Sequence, residues 1–369
     1  MKLERLELRR IALDLVTPFR TSFGVETQRD IMLLHVVTDA GDGWGECVAS
    51  HEPAYSSEFV EGSALVIRDH LWPTVVAAGV SAAADVAPAL ARFKGHQMSK
   101  AALEMAVLDA ELRADGISWK ERIGGTRDRI PSGVSVGIFD TLDELSRQVA
   151  GYIADGYVRI KLKIEPGWDI EPVRMVRDQI GPDVPLQVDA NTAYTRDDIA
   201  HLCKLDEFDL LLIEQPLPEE DILGHAELAR ASATPVCLDE SVVSMQTAVD
   251  AIELGAAEIV NIKPGRVGGY LAAVRIHDLC VERGVPVWCG GMVETGIGRA
   301  ANAGLASLPG FTLPGDISAS TRFYARDIVL RPITVEHGHV IVPTTPGLGF
   351  ELDQEFLDSI TTSTVVLQP

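Results

Sequence analysis

Basic residues are scarce in this chain. Its 32 lysines and arginines stand against 54 aspartates and glutamates, a formal charge of −22. That balance argues against nucleic acid or an anionic membrane surface as a partner. It does not exclude a small anionic substrate, because a divalent cation and clustered lysines reverse the field locally. Cysteine is also sparse: Cys47, Cys203, Cys237, Cys280 and Cys289 form an odd, scattered set without a C-x-x-C. They read as reduced, mostly buried thiols. No apolar run approaches the ~20 residues of a membrane span. The charged start Met1-Lys2-Leu3-Glu4-Arg5 has no apolar core of a secretion signal. Together these absences lead us to expect a soluble, cytoplasmic protein.

What is present is enough apolar sequence (46%) for a large core, and a length of 369 residues that suggests about two domains. Residues 1–55 read as antiparallel strands. Leu6, Leu8, Leu13 and Leu15 alternate, Ile31 to Val37 is a second apolar run, and Asp39-Ala40-Gly41-Asp42-Gly43 is a hairpin turn. Between the first two lies Pro18 to Gly24, which reads as a surface loop with Phe19 and Phe23 tucked into the core. Helical spacing predicts a helix over Ser99 to Ala114, ended by Asp115-Gly116. An α+β domain over 1–125 therefore precedes a β/α barrel over 126–320, and the segment 321–369 should pack back on the first domain.

The barrel is expected from a repeat. Apolar runs ending in Lys161-Leu162-Lys163, Asp189-Ala190-Asn191, Glu214-Gln215-Pro216, Asp239-Glu240-Ser241 and Lys263-Pro264-Gly265 recur about every 25 residues. That is the length of one strand, its crossover helix and two loops. Gly133 to Gly137 fits the first strand, Cys289 ends the seventh, and Phe311 to Pro314 is a weak eighth. The charged groups thus fall at the carboxyl ends of strands, where such barrels carry their chemistry.

Residues two apart on a strand share a face. Lys161 and Lys163 then point together into the mouth, with Asn191 beside Asp189 and Asn261 beside Lys263. Any one of these acids alone would be a surface charge or a helix cap; Asp189, Glu214 and Asp239 at one structural phase can converge on a cation. All-oxygen ligation suits Mg²⁺ or Mn²⁺, and no histidine ends a strand in this ladder, which disfavours zinc. Lys163 and Lys263 should face each other across the mouth, with burial and a neighbouring cation pushing an amine toward neutrality. A substrate carboxylate bound between them would have a base on each face of its α-carbon, the geometry of a racemase or epimerase. Gly265 to Gly269 lacks phosphate-loop spacing and reads as a βα turn, with Arg266 close enough to tune Lys263. Met292 and Val293 suit a pocket wall and a core equally.

With these strand ends, the chain resembles the enolase superfamily in its muconate-lactonizing-enzyme subgroup, whose sites use a lysine or histidine base. Within it, Pro18 to Gly24, Gly133 to Gly137, Asn261 to Arg266 and Cys289 to Glu294 resemble the N-succinylamino acid racemase and o-succinylbenzoate synthase family. The resemblance implies Asp189, Glu214 and Asp239 as Mg²⁺ ligands and Lys163 and Lys263 as acid/base catalysts. It implies Lys161 at the substrate carboxylate and Ser135, Asn191, Met292 and Val293 as pocket residues. Phe19 to Phe23 and the loop around Tyr55 would close over a small carboxylate substrate, and a homo-oligomer is implied. The expected reaction is racemization of N-succinyl or other N-acyl amino acids through an enediolate. The rival is a dedicated o-succinylbenzoate synthase, followed by a dipeptide epimerase, whose amine-binding acids would have only Asp316 to represent them. A non-catalytic binding protein would have no need of opposed lysines.

Overall fold

A computed structural model describes all 369 residues. The chain opens with three antiparallel strands, β1 (Leu3–Thr21), β2 (Gly24–Thr38) and β3 (Gly41–Cys47). The buried positions of β1 run Leu6, Leu8, then Ile11 and Leu13. An irregularity between Arg10 and Ile11, where β1 meets its other neighbour, accompanies the change of phase. The expected loop at Pro18 to Gly24 is instead the tip of the β1–β2 hairpin: Phe19, Arg20 and Thr21 pair with Glu26, Val25 and Gly24. A long helix, Gln97–Asp115, packs on this sheet and is buried on most of its circumference. Two strand glycines set the distance. A Cβ at Gly43 would lie 2.2 Å from Ala110 N, and one at Gly45 would lie 2.1 Å from Ala102 O. Only glycine against alanine lets the helix backbone rest on the strand.

After a short strand β4 (Arg129–Pro131), seven parallel strands follow in chain order. They are β5 (Gly133–Val136), β6 (Arg159–Lys163), β7 (Leu186–Asp189), β8 (Ile213–Glu214), β9 (Val236–Leu238), β10 (Ile259–Ile262) and β11 (Val287–Cys289). Each pairs only with its sequence neighbours, so the sheet curls into an open modified barrel. The expected eighth strand does not form. Residues 311–316 span the gap irregularly, bonding to β11 through Asp316 N to Cys289 O (3.0 Å) and to β5 through Gly133 N to Gly315 O (2.8 Å). Pro314 has no N–H for a ladder, which is why this segment bridges rather than pairs.

The tail divides. β12 (Val335–Glu336) and β13 (His339–Ile341) form a small sheet with β4, whereas β14 (Thr361–Leu367) lies antiparallel beside β1. All five cysteines are free thiols, four of them buried. No helix is long and apolar enough to cross a membrane.

Candidate active site

Strand periodicity places the charges. Along β6, Arg159, Lys161 and Lys163 alternate with Ile160 and Leu162, and the register sets Lys163 beside Asp189 and Asp189 beside Glu214. Lys161 Nζ lies 3.1 Å from Asp189, 3.0 Å from Glu214 and 2.6 Å from Asp316, with the Trp288 ring centre 4.8 Å away. Lys163 Nζ donates to Asp189 Oδ2 and Asn191 Oδ1, both at 2.6 Å. Across the mouth, Lys263 Nζ donates to Asp239 Oδ2 at 2.6 Å and to the Tyr55 hydroxyl at 2.8 Å. Counting the 311–316 bridge as one position, the ring has eight, and β6 and β10 stand four apart by either route. The two lysines therefore reach the mouth from opposite sides.

The turns that follow the strands are sharp. Asn191 and Gln215 have φ of +42° and +39°, and Val293 has +58°. The last is a costly conformation for a β-branched residue, on the order of 1–3 kcal/mol. The Tyr324 hydroxyl secures it by donating to Val293 O at 2.5 Å.

Above the mouth lies a cavity of about 690 Å³. Phe19, Phe23, Tyr55, Lys163, Asn191, Lys263, Met292 and Val293 all line it. Ser135 does not: it stands beside Lys161 on β5, its Oγ buried without a partner. Lys161 and the three acids lie beneath the cavity floor, at most 2% exposed. The cover comes from the first sheet and the loop after it. Ser22 Oγ donates to Asn191 O at 3.2 Å, and the Phe23 and Tyr55 rings meet at 5.4 Å. Phe23 is 41% exposed, so it is not the core residue that a surface-loop reading would have it be.

The electrostatics describe a site short of positive charge at its centre. Burial and then Asp189, with Asp239 adding to it, push Glu214 up to about 8. Asp189 and Asp239 are held low against their burial, chiefly by Lys163 and by Lys263. Asp239 Oδ1 sits 3.2 Å from Arg266 Nε without hydrogen-bond alignment, leaving both atoms unsatisfied. A divalent cation suits this donor set, because it would let Glu214 ionise and give Asp239 Oδ1 a partner. The acids do not form a closed ligand cluster as they stand, since ammonium groups lie between them. The expectation of a lowered lysine was made for a site that holds a cation, whereas here the Lys263 amine meets Asp239 directly. Its burial favours the neutral amine, and the contact with Asp239 opposes that and raises its pKa.

Two asparagines that strand alternation placed beside the charges bond to acids here, and Arg159 is a residue that had not been singled out. Asn261 donates to Glu214 Oε1 at 2.7 Å, and Asn191 Nδ2 to Glu240 Oε1 at 2.9 Å. Arg159 pairs with Asp316 at 2.7 Å from the layer below Lys161. The two-residue period that exposed Lys161 and Lys163 also points to Arg159. Asp316, in an irregular bridge, carries no such signal.

The family described as "Enolase C-terminal domain-like" matches residues 144–356, and "Mandelate racemase / muconate lactonizing enzyme, N-terminal domain" matches 7–124. The chain is 62% identical to an N-succinylamino acid racemase of Amycolatopsis sp over 99% of each chain. It is 43% identical to the o-succinylbenzoate synthase of Bacillus subtilis over 97% of this chain and 96% of the other. A crystal structure of an enolase-superfamily member from Listeria innocua superposes with a TM-score of 0.95 at 37% identity, covering 100% of this chain and 99% of that one.

Proposed function

From the premise that this chain belongs to the mandelate racemase and muconate lactonizing enzyme family of the enolase superfamily, we propose that it racemizes N-succinyl or related N-acyl amino acids. Its chemistry is that of the racemases and lyases in the N-succinylamino acid racemase and o-succinylbenzoate synthase branch. One observation carries the finer reading: Lys163 and Lys263 open onto a single cavity from opposite sides of the barrel mouth. A carboxylate substrate seated between them presents its α-carbon to an amine on each face. One lysine removes the α-proton, the enediolate forms, and the other returns a proton to the opposite face. Asp189, Glu214 and Asp239 would hold Mg²⁺ or Mn²⁺, which when bound supplies the positive charge that favours ionisation next to the substrate carboxylate. Lys161, fixed by Asp316, Asp189 and Glu214, adds a second charge there. Phe19, Phe23 and Tyr55 keep water from the carbanion, and Met292 and Val293 receive the side chain.

The o-succinylbenzoate synthase reading stays beside it, because relatives over 40% identical carry that name and dehydration needs only one of these lysines. A dipeptide epimerase fits less well. Asp316, the one acid near the eighth position, is already taken by Lys161 and Arg159 and is not free to bind an amine.

Incubating one enantiomer of an N-succinyl amino acid with the enzyme in D₂O tests the reading. Product of inverted configuration should carry deuterium at Cα. Inversion without solvent deuterium would end the two-base proposal. A parallel assay with the o-succinylbenzoate precursor ranks the two activities.

A further inference from the structure

On the other side of Phe19 from the catalytic cavity is a second cleft, of about 450 Å³, between the β1 strand, the helix Leu142–Ala154 and residues 319–335. At its base is a cation without a counter-ion. Arg322 forms no ion pair, and its one hydrogen bond to protein runs from Nη2 to Ser135 O at 3.2 Å. Its Nε is buried with no partner. Rings enclose the guanidinium: Phe323 at 4.7 Å, Tyr152 at 5.1 Å and Phe19 at 5.7 Å. Ring faces hold a cation in place but leave its N–H groups unfilled. Behind Phe323 is a second such guanidinium, Arg299, 5.1 Å from the same ring. It donates only to the carbonyls of Glu294 and Ser318 and to the Ser318 hydroxyl. Two cations packed against rings without a carboxylate, Arg299 fully buried and Arg322 partly, are unexpected where acids outnumber bases 54 to 32.

The cleft wall adds neutral groups able to donate. Gln148, Tyr152, Tyr157 and Thr321 line it, and its one acid, Asp155, is exposed. We propose that this cleft is a binding site for a small oxyanion, a phosphate or a carboxylate, anchored on Arg322 and flanked by Gln148 and Tyr152. A planar guanidinium with unused N–H groups matches either anion, and nothing on the wall distinguishes them. This inference stands apart from the reading of the catalytic lysines, since none of its residues touches them.

Calorimetric titration of the full chain with inorganic phosphate, and separately with succinate, at constant ionic strength is the test. At least one should bind saturably, and Arg322→Gln should weaken it about tenfold or more. Gln148→Leu and Tyr152→Phe, which leave the guanidinium in place, should each weaken it by a smaller factor. Lys163→Ala should not change it, which separates this site from anion binding in the catalytic cavity. The tighter of the two anions identifies the ligand class. The proposal is overturned if neither anion binds, if Arg322→Gln binds as well as wild type, or if Lys163→Ala is the variant that abolishes binding. Should Arg322→Gln fail to fold, unchanged affinity in both wall variants overturns it equally.

Discussion

The two lysines at the barrel mouth are held in different ways. Lys163 is held by the barrel alone, through Asp189 and Asn191 on the next strand end. Lys263 sits in a busier setting, with Asp239 from the barrel, Tyr55 from the covering loop, and the Arg266 guanidinium bonded to the same Tyr55 hydroxyl. Beneath it, a void of about 20 Å³ is lined by Lys263 together with the buried acids Glu46 and Glu294. Glu46 comes from β3 and accepts from Thr295 N and Gly298 N at the start of the helix Gly296–Leu305. One lysine therefore depends on the barrel, and the other depends on the barrel and the covering elements together. Disturbing the cover should affect one face of the substrate more than the other.

Removing metal should not discriminate between the faces. Chelation is expected to bring turnover of both enantiomers to background, with Mg²⁺ or Mn²⁺ restoring it; full activity in chelator would remove the metal from the mechanism. Single lysine variants come next and should separate the faces. Lys163→Ala and Lys263→Ala should each lower racemization by roughly 10²–10⁴-fold while keeping deuterium exchange with one enantiomer, a different one in each case. Racemization at the normal rate in Lys263→Ala would show that the opposed-base reading is wrong. Tyr55→Phe removes one hydroxyl from the Lys263 side only. About a tenfold loss is expected for the enantiomer that Lys263 deprotonates, and a smaller one for its mirror image. Equal losses would erase the proposed asymmetry.

The smallest effect concerns stability at the seam under Lys263. Burial, opposed by the Thr295 N–H, and the nearby Glu294 raise Glu46 from 4.5 to about 7. Between those values the unfolded chain has released this proton and the folded chain has kept it. The unfolded state thus binds fewer protons, and stability falls as pH rises from 4.5 to 7, then levels off. At ~1.4 kcal/mol per pH unit of displacement, the loss is a few kcal/mol at most. Glu46→Gln cannot ionise, so its melting temperature should gain on that of wild type across this window. A constant gap between the two would show that Glu46 is ionised throughout.

The pairing of β7 with β8 and of β9 with β10 was legible because apolar runs and acids recur at one spacing, and a strand's period of two assigns each side chain a face. Asp189, Glu214, Asp239 and both lysines followed from that rule alone. Ser135 obeys the same period, yet it lies outside the cavity, because a face gives direction but not depth. Phe311 to Pro314 was readable only by extrapolating the repeat, and Pro314 defeats a ladder there. Asp316 and Tyr55 had no periodic signal. Their partners are 155 and 208 residues away, reached through a bridge and a loop.

Sequence by itself thus determined which residues line the inner face of the barrel at its open end, since local alternation dictates orientation wherever a strand forms. Only the tertiary structure decided what each of those charges would meet. Lys263 is raised against its burial because Asp239 is brought within hydrogen-bonding distance. Lys161 is fixed because an acid from the bridge that closes the ring, 155 residues on, reaches it. Arg322 is left without a counter-ion because the rings packed around it leave no carboxylate within reach. Such outcomes depend on distances of a few ångströms between segments far apart in the chain, and a repeat in sequence does not encode those distances.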